Sequence, residues 1–142
     1  MGKKSIDVSR RTAVVLDSWA VMAYFEDEAS ADAVEDIMAQ AHASSVPLLM
    51  TVVNVGEVWY SVARRRSEKD ADERVKDIGE LGVSIVAADW KIAYEAARFK
   101  RGGRIAYADC FAAGLAKLRN APLVTGDPEF KALESRISIL WV

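Results

Sequence analysis

The stretch Leu123 to Phe130, LVTGDPEF, decides how the rest of the chain is read. A short apolar run ends in Thr-Gly-Asp-Pro, which predicts a buried strand stopping near Val124 and a tight turn carrying Thr125 and Asp127. In an open parallel sheet, ligands bind in the crevice beyond the carboxyl ends of the strands. Asp127 is therefore a candidate by position, and its weight depends on what the remaining strands bring to the same edge.

Working backwards, Ala13 to Leu16 is a second continuous apolar run and ends at Asp17. Leu48 to Met50 and Val83 to Ala87 read as further strands, and Ile137 to Trp141 as the last. Between them lie helical patterns: Ser18 to about Phe25, then Ala31 to Ala41, Asn54 to Ala63, a further helix after the charged break Arg64 to Asp70, a helix N-capped by Asp89, and one near Tyr107 to Leu118. Strands alternating with helices imply an α/β fold, a mainly parallel sheet with helices on both faces. No internal repeat or low-complexity tract is present.

Composition sets the bounds. With 142 residues, 51% apolar and 28% charged, the chain fits one soluble domain of residues 12–142 with its own core, and no run suits a membrane span. Met1 to Arg11 is polar and basic without a following hydrophobic region, which predicts a flexible arm, 1–11, outside the fold. The single cysteine, Cys110, excludes an internal disulfide and fits a reducing compartment, so the cytoplasm is the expected location. A net charge of −2 argues against histone-like nucleic-acid binding and leaves basic clusters to be sought locally.

Three windows, Thr12 to Phe25, Val46 to Ala63 and Ile105 to Ala116, each contain a single charged residue: Asp17, Glu57 and Asp109. Burying an unpaired carboxylate is costly, so three lone acids in apolar surroundings need an explanation. Asp17 has the alternative of capping the helix after the first strand, and Glu57 that of pairing with Arg64. Asp109 has no cation at helical spacing. Convergence of all three with Asp127 on a divalent cation accounts for the set, since two carboxylates about 4 Å apart repel by roughly 4 kcal/mol at an effective dielectric of 20. The available donors are hard oxygens, including the Ser18 and Thr125 hydroxyls, which favours Mg²⁺, or Mn²⁺, over zinc. Asn54, one turn before Glu57, either orients that carboxylate or caps the helix.

Other features carry less. His42, the only histidine, is expected at an inert surface position, and Cys110 as a small buried hydrophobe. Arg101 and Arg104 of the RGGR loop are candidate phosphate contacts, favoured over the Arg64 to Arg66 triplet because the glycines permit close backbone approach. A haloacid-dehalogenase-type phosphatase needs a second acid two residues after Asp17, where Trp19 stands. A response-regulator receiver needs paired acids after the first strand and a lysine after the last, and the chain has neither.

Taken in order, VVLDSWAV (Val14 to Val21), NVGE (Asn54 to Glu57), YADC (Tyr107 to Cys110) and LVTGDPEF resemble the PIN-domain ribonucleases, and among them the VapC toxins of toxin-antitoxin pairs. The resemblance covers nearly the whole chain from Ala13. It implies a five-stranded parallel sheet of order 3-2-1-4-5 in an α/β/α sandwich, a homodimer, an RNA substrate and a VapB-type antitoxin that inserts into the acidic groove. The family's acids correspond to Asp17, Glu57, Asp109 and Asp127, and its hydroxyl positions to Ser18 and Thr125. Cys110 stands where alanine is commoner, and the N-terminal arm is longer than usual. The expected activity is Mg²⁺-dependent endoribonucleolysis by activated water. The alternative is a catalytically inactive module that binds RNA or a protein partner.

Overall fold

The computed structural model describes residues 6–142. Five short strands, β1 (Val14–Leu16), β2 (Leu48–Thr51), β3 (Val83–Val86), β4 (Leu123–Thr125) and β5 (Ile139–Trp141), form one sheet of order β3-β2-β1-β4-β5. Every pairing is parallel. The six α-helices are α1 (Ser18–Phe25), α2 (Ala31–Ala43), α3 (Val52–Arg65), α4 (Glu68–Glu80), α5 (Trp90–Arg101) and α6 (Tyr107–Arg119), with a 3₁₀ turn over Pro128–Leu133. None of the described helices is long and apolar enough to cross a membrane.

The strands' two-residue period divides the core into two layers. Val14 and Leu16 of β1 point to one face, where Met50 and Val124 meet Ala20 of α1, Ile37 of α2, Val58 of α3 and Ile78 of α4. Val15 and Leu123 point to the other face and meet Ile92 and Phe99 of α5, Leu115 of α6, and Phe130. Strands β1, β2 and β4 are buried throughout, which is why they are continuous apolar runs rather than alternating ones. The three-layer α/β/α sandwich and its strand order are those the sequence led us to expect.

The expected arm is corrected by the structure. Met1 to Ser5 lie outside the described residues, but Val8 is fully buried in the first core layer, with Ile6 packed against that layer. The Gln40 side chain of α2 holds this segment, accepting from Val8 N (3.1 Å) and donating to Ile6 O (2.6 Å). Those two bonds satisfy the backbone of a chain that has left water, and so allow the valine to be buried. The Ile6-x-Val8 alternation was the signal for it.

A second difference lies between β2 and α3. The helix begins at Val52 with no loop, two residues before its expected start, because Thr51, the last residue of the strand, is also the N-cap: its Oγ1 accepts from Asn54 N at 3.1 Å. Asp89, as expected, caps α5 by accepting from Ile92 N.

On the second face, α5 and α6 touch backbone to backbone at Gly114. A Cβ there would lie 3.0 Å from Ile92 O and 3.2 Å from Ala96 N. Gly114→Ala is therefore expected to destabilise the protein, since overpacking of about 1–3 kcal/mol exceeds the roughly 1 kcal/mol of helix propensity gained. A lowered midpoint in equilibrium urea unfolding is the expected result.

Candidate active site

The carboxyl edge of the sheet gathers the acids. Asp17 directly follows β1, and its carboxylate, 1% exposed, is fully engaged. Oδ1 accepts from Ala20 N (2.9 Å), capping α1, while Oδ2 accepts from the Thr125 hydroxyl (2.5 Å). Thr125 Oγ1 in turn accepts from Asp127 N (3.1 Å), so one threonine at the end of β4 joins the turn after its own strand to the turn after β1. The capping role and the place in the acidic cluster coexist in Asp17.

Glu57 reaches the same edge from α3. Its Oε1 accepts from Ser18 Oγ (3.0 Å) and Asn54 Nδ2 (2.9 Å). Asn54 is fully buried: Nδ2 also donates to Ala108 O on α6 (3.1 Å), and Oδ1 accepts from the Thr51 hydroxyl (2.5 Å). Asn54 thus orients Glu57, and the cap of α3 is Thr51. The alternative partner of Glu57, Arg64, instead lies over the Tyr60 ring, 5.2 Å from its centroid.

Asp109 stands in the first turn of α6, 8% exposed. Its carboxyl oxygen, that of Asp127 and that of Glu129 lie within 4.8 Å of one another. Glu129 was not singled out from the sequence. It is an exposed acid two residues after Asp127, whose Oδ1 accepts from Glu129 N (2.9 Å) as the 3₁₀ turn begins.

Ser18, Glu57, Asp109 and Asp127 line one cleft of about 360 Å³, together with Trp19, Glu26, Glu28 and Arg65. Asp17, Asn54 and Thr125 are buried beneath these lining residues. Arg65 is the cleft's one basic lining residue among those described, and it forms an ion pair with Glu26. Arg101 and Arg104 are exposed and do not line the cleft; of the arginine triplet, Arg65 does. The Trp19 indole covers Gly126: a Cβ at that position would sit 2.2 Å from the ring.

The electrostatics follow from crowding. Burial, and then the charges of Glu57, Asp127, Asp17 and Glu129, push the Asp109 carboxyl up to about 8. Burial pushes Asp17 up to about 7, against the lowering effect of its bonds from Thr125 and Ala20. Both acids keep their protons to higher pH than an ordinary carboxyl does. The donors are hard carboxylate oxygens, converging closely enough for one ion to reach three of them, and this fits Mg²⁺ or Mn²⁺. His42 is exposed, and the buried Cys110 thiol is pushed up to about 11 by burial, so neither offers a competing chemistry here.

A family model for the PIN domain matches residues 14–135. No curated protein matches. Among solved structures, the chain is similar to VapBC2 from Rickettsia felis bound to a DNA fragment from their promoter (18% identity, TM-score 0.71, covering 92% of this chain and 98% of that one). It is also similar to Mycobacterium tuberculosis VapC20, a Sarcin-Ricin loop cleaving toxin (12%, 0.69, 92% and 100%). A third is VapBC-5 from Mycobacterium tuberculosis, a member of the VapBC family of toxin-antitoxin systems (20%, 0.58, 92% and 98%). The matched residues contain strands β1 to β4 and all four predicted acids, and the chain belongs to the PIN domain family.

Proposed function

We propose that this protein is a metal-dependent endoribonuclease and the toxin of a toxin-antitoxin pair, acting as a homodimer and restrained by a VapB-type antitoxin. The observation that carries the enzymatic part is the convergence of Asp17, Glu57, Asp109 and Asp127 at one sheet edge, where burial and then the neighbouring charges raise the carboxyls of Asp17 and Asp109. The likeness to VapC20 and the VapBC proteins supports the toxin assignment and the partner.

Asp17, Glu57, Asp109 and Asp127 are the proposed ligands of Mg²⁺ or Mn²⁺, with Glu129 as a further donor. Bound there, the ion would supply a water of lowered pKa and neutralise charge on the phosphodiester oxygens. The chain's own contribution is positioning. Ser18 and Asn54 position Glu57, Thr125 fixes Asp17 and, through the Asp127 N–H, the turn that carries Asp127, whose carboxylate accepts from Glu129 N. Arg101 and Arg104 are proposed to meet RNA phosphates outside the cleft, as screened, sequence-independent contacts.

Antitoxin-free protein incubated with total RNA is expected to cut it in Mg²⁺ and not in excess EDTA. Mapped ends should be 5′-phosphates and 3′-hydroxyls, because the exposed His42 supplies no acid-base pair for 2′-hydroxyl attack. Ends bearing 2′,3′-cyclic phosphate would overturn the mechanism, and intact RNA in Mg²⁺ would favour the inactive binding module.

A further inference from the structure

Helix α5 presents an outward face that nothing in the site accounts for. Trp90 is 73% exposed and Tyr94 48%, an unusual display for the two largest side chains on that face. Their rings meet edge to face at 5.9 Å, and the Arg98 guanidinium lies 5.8 Å from the Tyr94 centroid. At 100° per residue, Trp90, Tyr94, Arg98 and Arg101 fall within about 80° of one another and make a single stripe. The exposed charge along this helix is of one sign: Lys91, Arg98, Lys100 and Arg101 are exposed, while its one acid, Glu95, is turned inward and paired with Lys117 at 2.9 Å and with Arg98 at 3.5 Å.

We infer that this stripe is a stacking platform for single-stranded RNA, with bases on Trp90 and Tyr94 and phosphates on Arg98 and Arg101. The inference rests on the nuclease reading and extends it to how the substrate is held. Three observations select the occupant. Two aromatic rings followed on the same face by two cations offer what unpaired bases and their phosphates require together. Trp90 opens α5 just beyond the carboxyl end of β3, the sheet edge that also carries Asp17 and Asp127, so a strand leaving the cleft has a short path to it. Parallel pairing of this helix with its own copy would set cations against cations, whereas a polyanion complements them in either direction. The stripe spans about 16 Å along the helix axis, room for two or three stacked nucleotides.

The test uses the full chain carrying Asp109→Asn, to stop turnover, and a fluorescein-labelled 12-nucleotide single-stranded RNA of mixed sequence, read by anisotropy. Adding Trp90→Ala and Tyr94→Ala is expected to weaken binding at least tenfold, while Trp90→Phe, which keeps a ring, retains most of the affinity. Replacing Arg98 and Arg101 by alanine should reduce the slope of log affinity against log salt by about 1.4, near 0.7 for each phosphate contact on a single strand. Affinity within twofold of the parent in the double aromatic variant overturns the inference, as does conversion of a dimer to a monomer by light scattering, which would assign the face to a second copy. The two readings fail separately. Unchanged KM for RNA cleavage when Trp90→Ala and Tyr94→Ala are placed in a chain that keeps Asp109 sinks the platform and leaves the nuclease standing, while RNA held by this stripe in a protein that never cuts does the reverse.

Discussion

Asp109→Asn is expected to abolish RNA cleavage and, without divalent ions, to raise the melting temperature at alkaline pH. Asp109 is buried in the first turn of α6 among Glu57, Asp127, Asp17 and Glu129, and it ionises only near pH 8. Above that pH, the folded protein carries a charge opposed by burial and by four neighbours. Asparagine keeps the shape and removes the charge, so the variant should gain most over wild type at pH 9 and little below about pH 4, where the carboxyl is neutral in the folded and the unfolded chain alike. Mg²⁺ should separate them in the other direction. An ion at a hundred times its dissociation constant stabilises by about 2.7 kcal/mol, roughly 8 °C for a domain of this size, and the variant, lacking one proposed ligand, should gain markedly less. Melts of both proteins in EDTA and in Mg²⁺, at the two pH values, measure all four terms. A variant less stable in EDTA at every pH, yet equally responsive to Mg²⁺, would make Asp109 a structural residue.

Wild-type stability in EDTA should itself fall as pH rises from about 5 to 9. In the unfolded chain, both Asp17 and Asp109 titrate near the ordinary carboxyl value of 3.8, whereas in the fold they titrate near 7 and 8. Between those limits the native state holds more protons than the unfolded state, so raising the pH favours unfolding. The stabilising contribution of the two carboxyls is complete below about 4 and lost once the pH passes 8. A tenfold difference in proton affinity is worth about 1.4 kcal/mol, and with the two acids coupled the loss is on the order of a few kcal/mol, or about 10 °C. Saturating Mg²⁺ should flatten or reverse the trend, because ions bind the deprotonated ligands. A melting temperature that is level or rising from pH 5 to 9 in EDTA would contradict the crowding described for these acids.

The features legible in the sequence were those that burial forces on composition. Strands covered on both faces have to be unbroken apolar runs, so β1, β2 and β4 announced themselves, and a lone Asp17, Glu57 or Asp109 in such surroundings could not be solvated surface. What escaped was determined by direction rather than by type. Glu129 is one of many exposed acids, and only the 3₁₀ turn begun at Asp127 aims it at Asp109. Arg65 and Arg101 are equally exposed and basic, and only the fold decides that the first lines the cleft. Val8 sits among polar neighbours, and its burial depends on a glutamine 32 positions away. The start of α3 was placed two residues late, at Asn54, because Val52 and Val53 are β-branched and give no helix-start signal, while the cap is Thr51, β-branched as well.

The threonine and asparagine bonds have a mechanical consequence. Thr125 ties the Asp17 end of β1 to the Asp127 turn, and Trp19 laid on Gly126 clamps the same two segments, so these two acids can only move together. Asn54 ties Glu57 to the backbone beside Asp109, making a second unit from α3 and α6. Across the cleft the units are linked by the bond from Ser18 to Glu57 and by the ion pair of Arg65 with Glu26. The acidic site is therefore a pair of rigid jaws, and the spacing of their faces, more than the position of any one carboxylate, is the variable that would select among ions by radius.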